Sequence, residues 1–363
     1  MITISLCMIV KDEEARLPVC LTSVADLVDE IVIVDTGSSD RTQEVAADYG
    51  ARIFEFAWQD DFAAARNYAF SLASCDYILW LDADDVITEP NRIKFLQLKQ
   101  ELASDIDAVL MKYVLREQEK TGEPLASTRR NRLVKRSRNY RWIGIVHEYL
   151  EVTEGKQLLT DIAVTHRGVE SHSGRNLQII EHYLASGGML EGRLRFHLAC
   201  ELADAGRYEE AVPHFAEFLL DPKANRDDLV LACARLSDCY GHLGHEREKL
   251  EMLFQTFRFE IPQPEICCAI GKCMEDRQEW TLAVYWYVQA LQNANGGNWT
   301  AIVHAASRTW LPHSRLCLCY ARLGHLGKAY EHNREALRYL PDDPGLLDNE
   351  KKLKLAIDTA SLQ

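Results

Sequence analysis

Between Met1 and about Tyr113, short apolar runs rich in β-branched residues alternate with stretches of helical period. "ISLCMIV", "EIVIVD", "ARIFEF", "YILWLD" and "AVLMKYV" read as strands, and "EARLPVCLTSVADL" and "RTQEVAADYG" read as helices between them. This alternation predicts an α/β domain with a mostly parallel sheet, in which ligands collect at the carboxyl ends of the strands. From about Arg175 onward the pattern is helical, with turn residues recurring as in "LADAGRYEEAV" and "CYGHLGHE". "ARLSDCYGHLGH" (Ala234 to His245) matches "SRLCLCYARLGH" (Ser314 to His325) at seven positions with an offset of 80 residues. Gly206 follows a similar helix, so the unit is a helical hairpin of about half that offset, stacked several times. The expected division is therefore an α/β domain over residues 1–175 and an all-α repeat domain over residues 176–363. "NANGGNWTAIVHAASRTWLPHS" breaks the spacing and leaves the number of repeats open.

Composition narrows the class. A chain of 363 residues with 47% hydrophobic and 26% charged residues is long enough for two cores and ordinary for a globular protein. Its net charge of −14 opposes general affinity for nucleic acid or anionic lipid. The opening "MITISLCMIVKDEE" lacks a basic leader, and no apolar run nears the roughly 20 residues of a membrane span. Eleven cysteines without a CxxC pair suit a reducing compartment and small core positions. A soluble cytoplasmic protein is expected.

The chemistry concentrates where strands end. "YILWLDADDVITEP" sets Asp82, Asp84 and Asp85 directly behind an apolar run. A desolvated carboxylate protonates, pairs or finds a cation, so a positive partner is expected there. The strand period of two puts Asp82 and Asp84 on the same side, with Ala83 turned away. "DEIVIVDTGSSDRTQEVA" places Asp35 at another strand end, before a Gly-Ser turn and a helix capped by Ser39 or Asp40. "DFAAARNYAFSLA" carries Arg66 and Asn67 on the helix before the acidic strand. Each feature has a plainer reading alone: an Asp-x-Asp in a turn, an aspartate capping its own turn, an arginine on a helix surface.

The three together, Asp-x-Gly-Ser-x-Asp, Ala-Arg-Asn and Asp-x-Asp in that order, resemble family-2 glycosyltransferases of the GT-A fold. The helical half resembles tetratricopeptide repeats, in "AGRYEEAVPHFAEFLLDP" and "LGHLGKAYEHNREALRYLPDDP". The combination resembles the bacterial glycocin S-glycosyltransferases of sublancin type. The resemblance implies a nucleotide-sugar donor, a UDP-hexose such as UDP-glucose, whose diphosphate leaves with help from Mg²⁺ or Mn²⁺. It implies Asp84 as metal ligand, Asp82 at the donor ribose or the metal's water shell, and Asp35 and Arg66, with Asn67, at the nucleotide.

"RRNRLVKRSRNYRWIGIVHEYL" follows, with seven basic residues between Arg129 and Arg141. It reads either as a solvated face or as a source of Arg129 or Arg132 for the diphosphate or an acceptor. Its end resembles the "W-x-G-x-V-H-E" of members fused to helical repeats and brings in Trp142, His147 and Glu148. Inverting transfer needs one base beside the acceptor, and Glu148 is expected in that role, with His147 as the alternative. "AVTHRGVESHSGRN" offers His166 as a late metal ligand. The expected activity is inverting transfer of a hexose to a peptide side chain, a cysteine thiol of a bacteriocin-type peptide included, with the repeats holding the acceptor or a second copy of the chain. Transfer to a lipid-linked or lipopolysaccharide-core sugar, or a scaffold with a retired nucleotide-sugar domain, are the competing readings.

Overall fold

The structure, a computed structural model, describes residues 1–118, 121–168, 174–294 and 302–360. Part of the interrupting segment, residues 295–301, lies outside the described residues. The chain divides into two compact units, the first running from Met1 to Glu201.

In the first unit the strands are β1 (Ile4–Val10), β2 (Glu30–Asp35), β3 (Arg52–Glu55), β4 (Tyr77–Trp80), β5 (Asp85–Val86), β6 (Ala108–Glu117), β7 (Pro124–Lys135), β8 (Arg141–Ile143), β9 (Tyr149–Glu151) and β10 (Gln157–His166). The helices are α1 (Leu17–Val24), α2 (Thr42–Asp48), α3 (Phe62–Ser71), α4 (Glu89–Glu101), α5 (Arg175–Ala185) and α6 (Gly192–Asp204), the last running past the unit boundary. The main sheet has the order β3-β2-β1-β4-β7-β6-β10-β5. Strands β3, β2, β1 and β4 are parallel, as is β6 with β10, while β7 runs antiparallel to both its neighbours. The expected mostly parallel α/β domain is what forms. β8 and β9 make a separate two-stranded ribbon.

Alternation along β1 shows why two layers of helix are required. Ile4, Leu6, Met8 and Val10 enter one core with Leu17 and Leu21 of α1 and Phe95 of α4. Cys7 enters the other, against Ala69 of α3. With apolar residues on both faces, the central strands β1, β2 and β4 are almost wholly buried. The order turns back on either side of β1, between β2 and β4, which is where an open α/β sheet forms its ligand crevice. Asp61 caps α3 by accepting the Ala64 N–H at 2.8 Å, which fixes the helix that carries Arg66 and Asn67.

The second unit is helical, with α7 (Tyr208–Phe218), α8 (Arg226–His242), α9 (Glu246–Gln255), α10 (Pro264–Asp276), α11 (Trp280–Gln292), a short α12 (Ala305–Arg308), α13 (Trp310–Arg322), α14 (Leu326–Tyr339) and α15 (Pro344–Ala360). The internal match has a structural cause. Gly244 and Gly324 take φ of +76° and +80°, and the next N–H reaches back to a carbonyl five residues earlier, His245 to Tyr240 at 2.8 Å and His325 to Tyr320 at 2.9 Å. These are glycine-terminated helix ends that turn α8 into α9 and α13 into α14. Gln278 closes α10 the same way at φ +60° without a glycine, which hid that hairpin from the motif. None of the eleven cysteines is in a disulfide, and all but Cys75 and Cys200 are buried. Among the described residues, no helix is long and apolar enough to cross a membrane.

Candidate active site

The loops after β1, β2 and β4 meet at the crevice. Asp35 is buried at the end of β2, its Oδ1 accepting the N–H groups of Gly37 at 2.9 Å and Ser38 at 2.8 Å. Gly37 has φ +105°, which the turn needs for both bonds to form. Oδ2 of Asp35 is buried with no hydrogen-bond partner among the described residues. The β1 loop is tied to this turn through Asp12, whose Oδ1 accepts the Ser39 N–H at 2.7 Å. Neither Ser39 nor Asp40 is the cap of α2: the N-cap position is Arg41, without a side-chain cap bond, and Asp40, one residue earlier, accepts the Thr42 N–H at 2.9 Å.

After Trp80 the chain leaves the sheet, which changes the expected aim of the aspartates. Residues 82–85 form a turn in which the Asp85 N–H donates to the Asp82 carbonyl at 3.0 Å and the Asp82 N–H to Asp85 Oδ2 at 3.0 Å. Asp82 and Asp84 do not share a side as expected, because the strand has ended at Trp80, and the carboxylates take different partners. Asp82 Oδ1 accepts from Arg66 Nη2 at 2.6 Å, whereas Asp84 Oδ1 lies 3.3 Å from His166 Nδ1. Asp85 is fully buried and pairs with Arg132 at 2.9 Å.

Asp84, Asp85 and His166 can bring one ligand atom each within 4.8 Å of one another. Asp85 Oδ1 is buried without a hydrogen-bond partner among the described residues, 3.9 Å from His166 Nδ1. Gly168 closes the cradle: a Cβ there would come within 2.3 Å of Asp84 Oδ2 and 2.7 Å of His166 Nε2. Two carboxylates and an imidazole with an unsatisfied oxygen suit a hard divalent cation such as Mg²⁺ or Mn²⁺. Without a cation, Asp84 first and Asp85 next hold the imidazolium of His166, pushing its pKa up to about 10. Tyr113 Oη lies 3.2 Å from the same Nδ1.

Arg66 is the second organising group. Its guanidinium is buried, Nε donating to Glu148 Oε1 at 2.6 Å while Nη2 holds Asp82. It also lies over the rings of Trp142 at 4.8 Å and Trp80 at 5.2 Å from the centroids. Burial alone would lower its pKa, but Asp82 and Glu148 outweigh that and raise it. Burial would likewise raise Asp82, and Arg66 and Arg132 reverse the sign, holding it below the usual carboxylate range. The bridge gathers Arg66, Asp82 and Glu148 from positions 82 residues apart in the chain.

Five expected site residues are placed differently. Arg132 has no exposed surface and sits beneath the site, its guanidinium 3.8 Å from the Trp80 centroid and 4.3 Å from Tyr113. It occupies a β-bulge: Val109 pairs with Leu133 and Leu110 with Asn131, so Arg132 is the extra residue, re-aimed under Asp85. Arg129 donates to the Thr160 carbonyl at 2.9 Å on the sheet. Trp142 is buried, edge-on to Trp80 at 4.7 Å. Asn67 uses its amide on the backbone of Trp142, donating to the carbonyl and accepting the N–H, both at 2.9 Å. Asn67 thus spends its amide on backbone and Arg132 and Trp142 are buried, although Arg132 Nε and Nη2 and Trp142 Nε1 have no hydrogen-bond partner among the described residues. His147 faces elsewhere, its Nε2 2.6 Å from Glu201 Oε1 and its ring stacked on His197 at 4.5 Å. Asp85, Gly168 and Glu201 escaped sequence reasoning. Only Asp85 carried a signal, its place in the acidic triplet.

Residues 5–152 match the family model for glycosyl transferase family 2, and this part of the chain is a family 2 glycosyltransferase domain. A TPR repeat-containing protein of Synechococcus elongatus is 41% identical over 153 residues, covering 42% of this chain and 36% of that one. The SPbeta prophage-derived glycosyltransferase SunS of Bacillus subtilis is 27% identical over 256 residues, covering 64% of this chain and 58% of the relative. The chain thus spans between about a third and three fifths of the length of these relatives. Two solved structures show slight likeness. A tetratricopeptide repeat protein from Parabacteroides merdae has a TM-score of 0.39 at 12% identity over 51% of this chain and 66% of its own. Glucosyl-3-phosphoglycerate synthase from Mycobacterium tuberculosis has 0.35 at 17% identity over 53% and 82%.

Proposed function

We propose that this chain is an inverting, metal-dependent glycosyltransferase that moves a hexose from a UDP-sugar to a peptide side chain. The observation that carries the reading is the Asp84, Asp85 and His166 donor set beside the Arg66 bridge to Asp82 and Glu148, in a family 2 domain. A divalent cation held by Asp84 and His166, with Asp85 behind them, would neutralise the departing diphosphate. The unpaired Oδ2 of Asp35 can accept the N–H of a uracil ring.

Glu148 is the general base. Its carboxylate takes the proton from the acceptor heteroatom as that atom bonds to the sugar's anomeric carbon, and the bond from that carbon to the phosphate oxygen breaks with both electrons leaving on UDP. Arg66 holds the carboxylate in place at 2.6 Å and screens it from Asp82. A thiol, with an ordinary pKa near 8.5, gives up its proton to a carboxylate far more readily than a hydroxyl does, which favours cysteine as acceptor. The resemblance to sublancin-type enzymes points the same way, with the helical hairpins holding the acceptor peptide or a second copy of the chain.

The test is an acceptor panel of cysteine, serine and glycolipid compounds with UDP-glucose and Mn²⁺, read by mass spectrometry for an added hexose. Addition to the cysteine peptide is expected, with Glu148→Gln lowering the rate by about 10²–10⁴-fold. Transfer to the glycolipid alone would replace the peptide reading with the lipid-linked one, and no transfer from any UDP-hexose would favour the retired domain.

A further inference from the structure

Helix α5 begins beside the segment that supplies Glu148, and two of its side chains pin it there. Asn176 donates to Glu201 Oε1 at 3.1 Å and lies 3.4 Å from His147 Nε2. Arg175, the residue before it, lays its guanidinium over the ring of Phe62, 4.9 Å from the centroid. Phe62 opens α3, and its N–H donates to the Ile145 carbonyl at 3.0 Å. Phe62 and Arg66 stand four residues apart on that helix, hence on one face with their Cβ atoms about 5–6 Å from each other. Arg175 is therefore seated on a ring one helical turn from the arginine that holds Glu148. All of these residues belong to the first unit.

Arg175 is exposed and makes no hydrogen bond or ion pair with any described residue. Partial burial lowers its pKa, and the charges of Glu148, then Glu201, then Glu13 act in the other direction. Each of these acids is already engaged elsewhere. Glu148 holds Arg66 at 2.6 Å, Glu201 holds His147 at 2.6 Å and Glu13 holds Arg16 at 3.2 Å. The Arg175 guanidinium is thus steadied by an aromatic face while its N–H donors stay open to a ligand.

The ligand has to be an anion, and the neighbours of Arg175 say on which side of the sugar it lies. The charges that act on Arg175 are led by that of Glu148, and those of Asp82, Asp84 and Asp85 at the donor side are not among them. In an inverting transfer the base and the leaving group stand on opposite faces of the sugar, so a cation beside the base faces the acceptor. A guanidinium takes a carboxylate through two parallel N–H···O bonds, and in a peptide that group is an aspartate or a glutamate.

We infer that Arg175 is a specificity residue that pairs with a carboxylate of the acceptor, an aspartate or glutamate close in sequence to the residue that receives the hexose. The inference rests on the peptide-acceptor reading above.

The probes are short cysteine peptides carrying glutamate, glutamine or lysine at each position within two residues of the cysteine. They are titrated by calorimetry into the full chain with UDP and Mn²⁺, and assayed in parallel for hexose addition from UDP-glucose. At one position at least, the glutamate peptide binds about tenfold more tightly than its glutamine twin. Arg175→Gln erases that difference, and Arg175→Glu moves the preference to the lysine twin, which a merely structural role would not do. UDP affinity is the same in all three proteins. Equal binding of glutamate and glutamine peptides at every position, or a preference that survives Arg175→Gln, overturns the inference. A loss of UDP affinity in Arg175→Gln overturns it too, because the guanidinium would then belong to the diphosphate. The two readings fail separately. Hexose addition without a charge preference sinks the role of Arg175 alone, and charge-dependent binding that Arg175→Gln abolishes, with no hexose added to any peptide, sinks peptide transfer alone. Neither binding nor addition sinks both.

Discussion

Replacing Arg66 with methionine keeps most of the side chain's volume and removes the one cation between two carboxylates. Glu148 is only 12% exposed at its side chain and Asp82 34%, so the first loses its partner inside the protein and the second partly in water. Breaking a buried pair by deleting one member costs about 3–5 kcal/mol. Screening of the more open Asp82 puts the expected loss at the lower end, about 3 kcal/mol. The loss of cation–π contact with Trp80 and Trp142 is contained in that figure. The assay is urea unfolding followed by tryptophan fluorescence, with Arg66→Met, Glu148→Gln and the double variant forming a cycle. The double variant should recover at least about 1 kcal/mol relative to the sum of the singles, since it no longer buries an orphaned charge. The pH dependence has a definite sign. Asp82 is held below its ordinary value in the folded protein, so its contribution is present at neutral pH and lost as the pH falls through the folded pKa. The deficit of Arg66→Met should therefore shrink as the pH falls towards and below about 4, the ordinary range in which an aspartate such as the freed Asp82 protonates. Strictly additive singles, or a deficit equal at neutral and acid pH, would refute the bridge.

Three further outcomes follow from the same geometry. Gly168→Ala drives a methyl group into Asp84 and His166 and should weaken Mn²⁺ binding by about 10–100-fold in a metal titration, leaving the fold intact. The raised His166 pKa means that its ion pairs stabilise the metal-free protein fully below about 6.5 and lose that contribution as the pH rises through about 10. The cation competes with that proton, so Mn²⁺ affinity should climb between pH 7 and 9, by up to about tenfold per unit, and flatten in Asp84→Asn. Asn67→Ala leaves the Trp142 N–H and carbonyl unpaired and should cost about 1–3 kcal/mol in urea unfolding while UDP affinity holds.

Much of the sheet was legible because its signal is local. β1 and β2 coincide with "ISLCMIV" and "EIVIVD", since their alternation reports burial on both faces without reference to anything distant. The basic run was legible as charge but not as strand. Its first part, to Lys135, lies on β7, between β4 and β6, and the burial of Arg132 there goes with a bulge and a counter-ion, Asp85, 47 positions away, that no local pattern encodes. Asp84 and Glu148 stood out through motif order, whereas what holds them, His166 and Gly168 in one case and Arg66 in the other, is set by tertiary approach. Trp142 and Asn67 look like ligand groups in sequence because large and polar residues near a site often are. The structure turns them inward, one as packing beneath Arg66 and the other as a clamp on backbone.

Calorimetric titration of UDP into the full chain, once with Mn²⁺ and once with EDTA, tests most directly whether the acidic strand end serves a cation-assisted nucleotide. The account predicts binding with Mn²⁺ that weakens at least about tenfold with EDTA and in Asp84→Asn. Equal affinity in both solutions, or no binding in either, would contradict it.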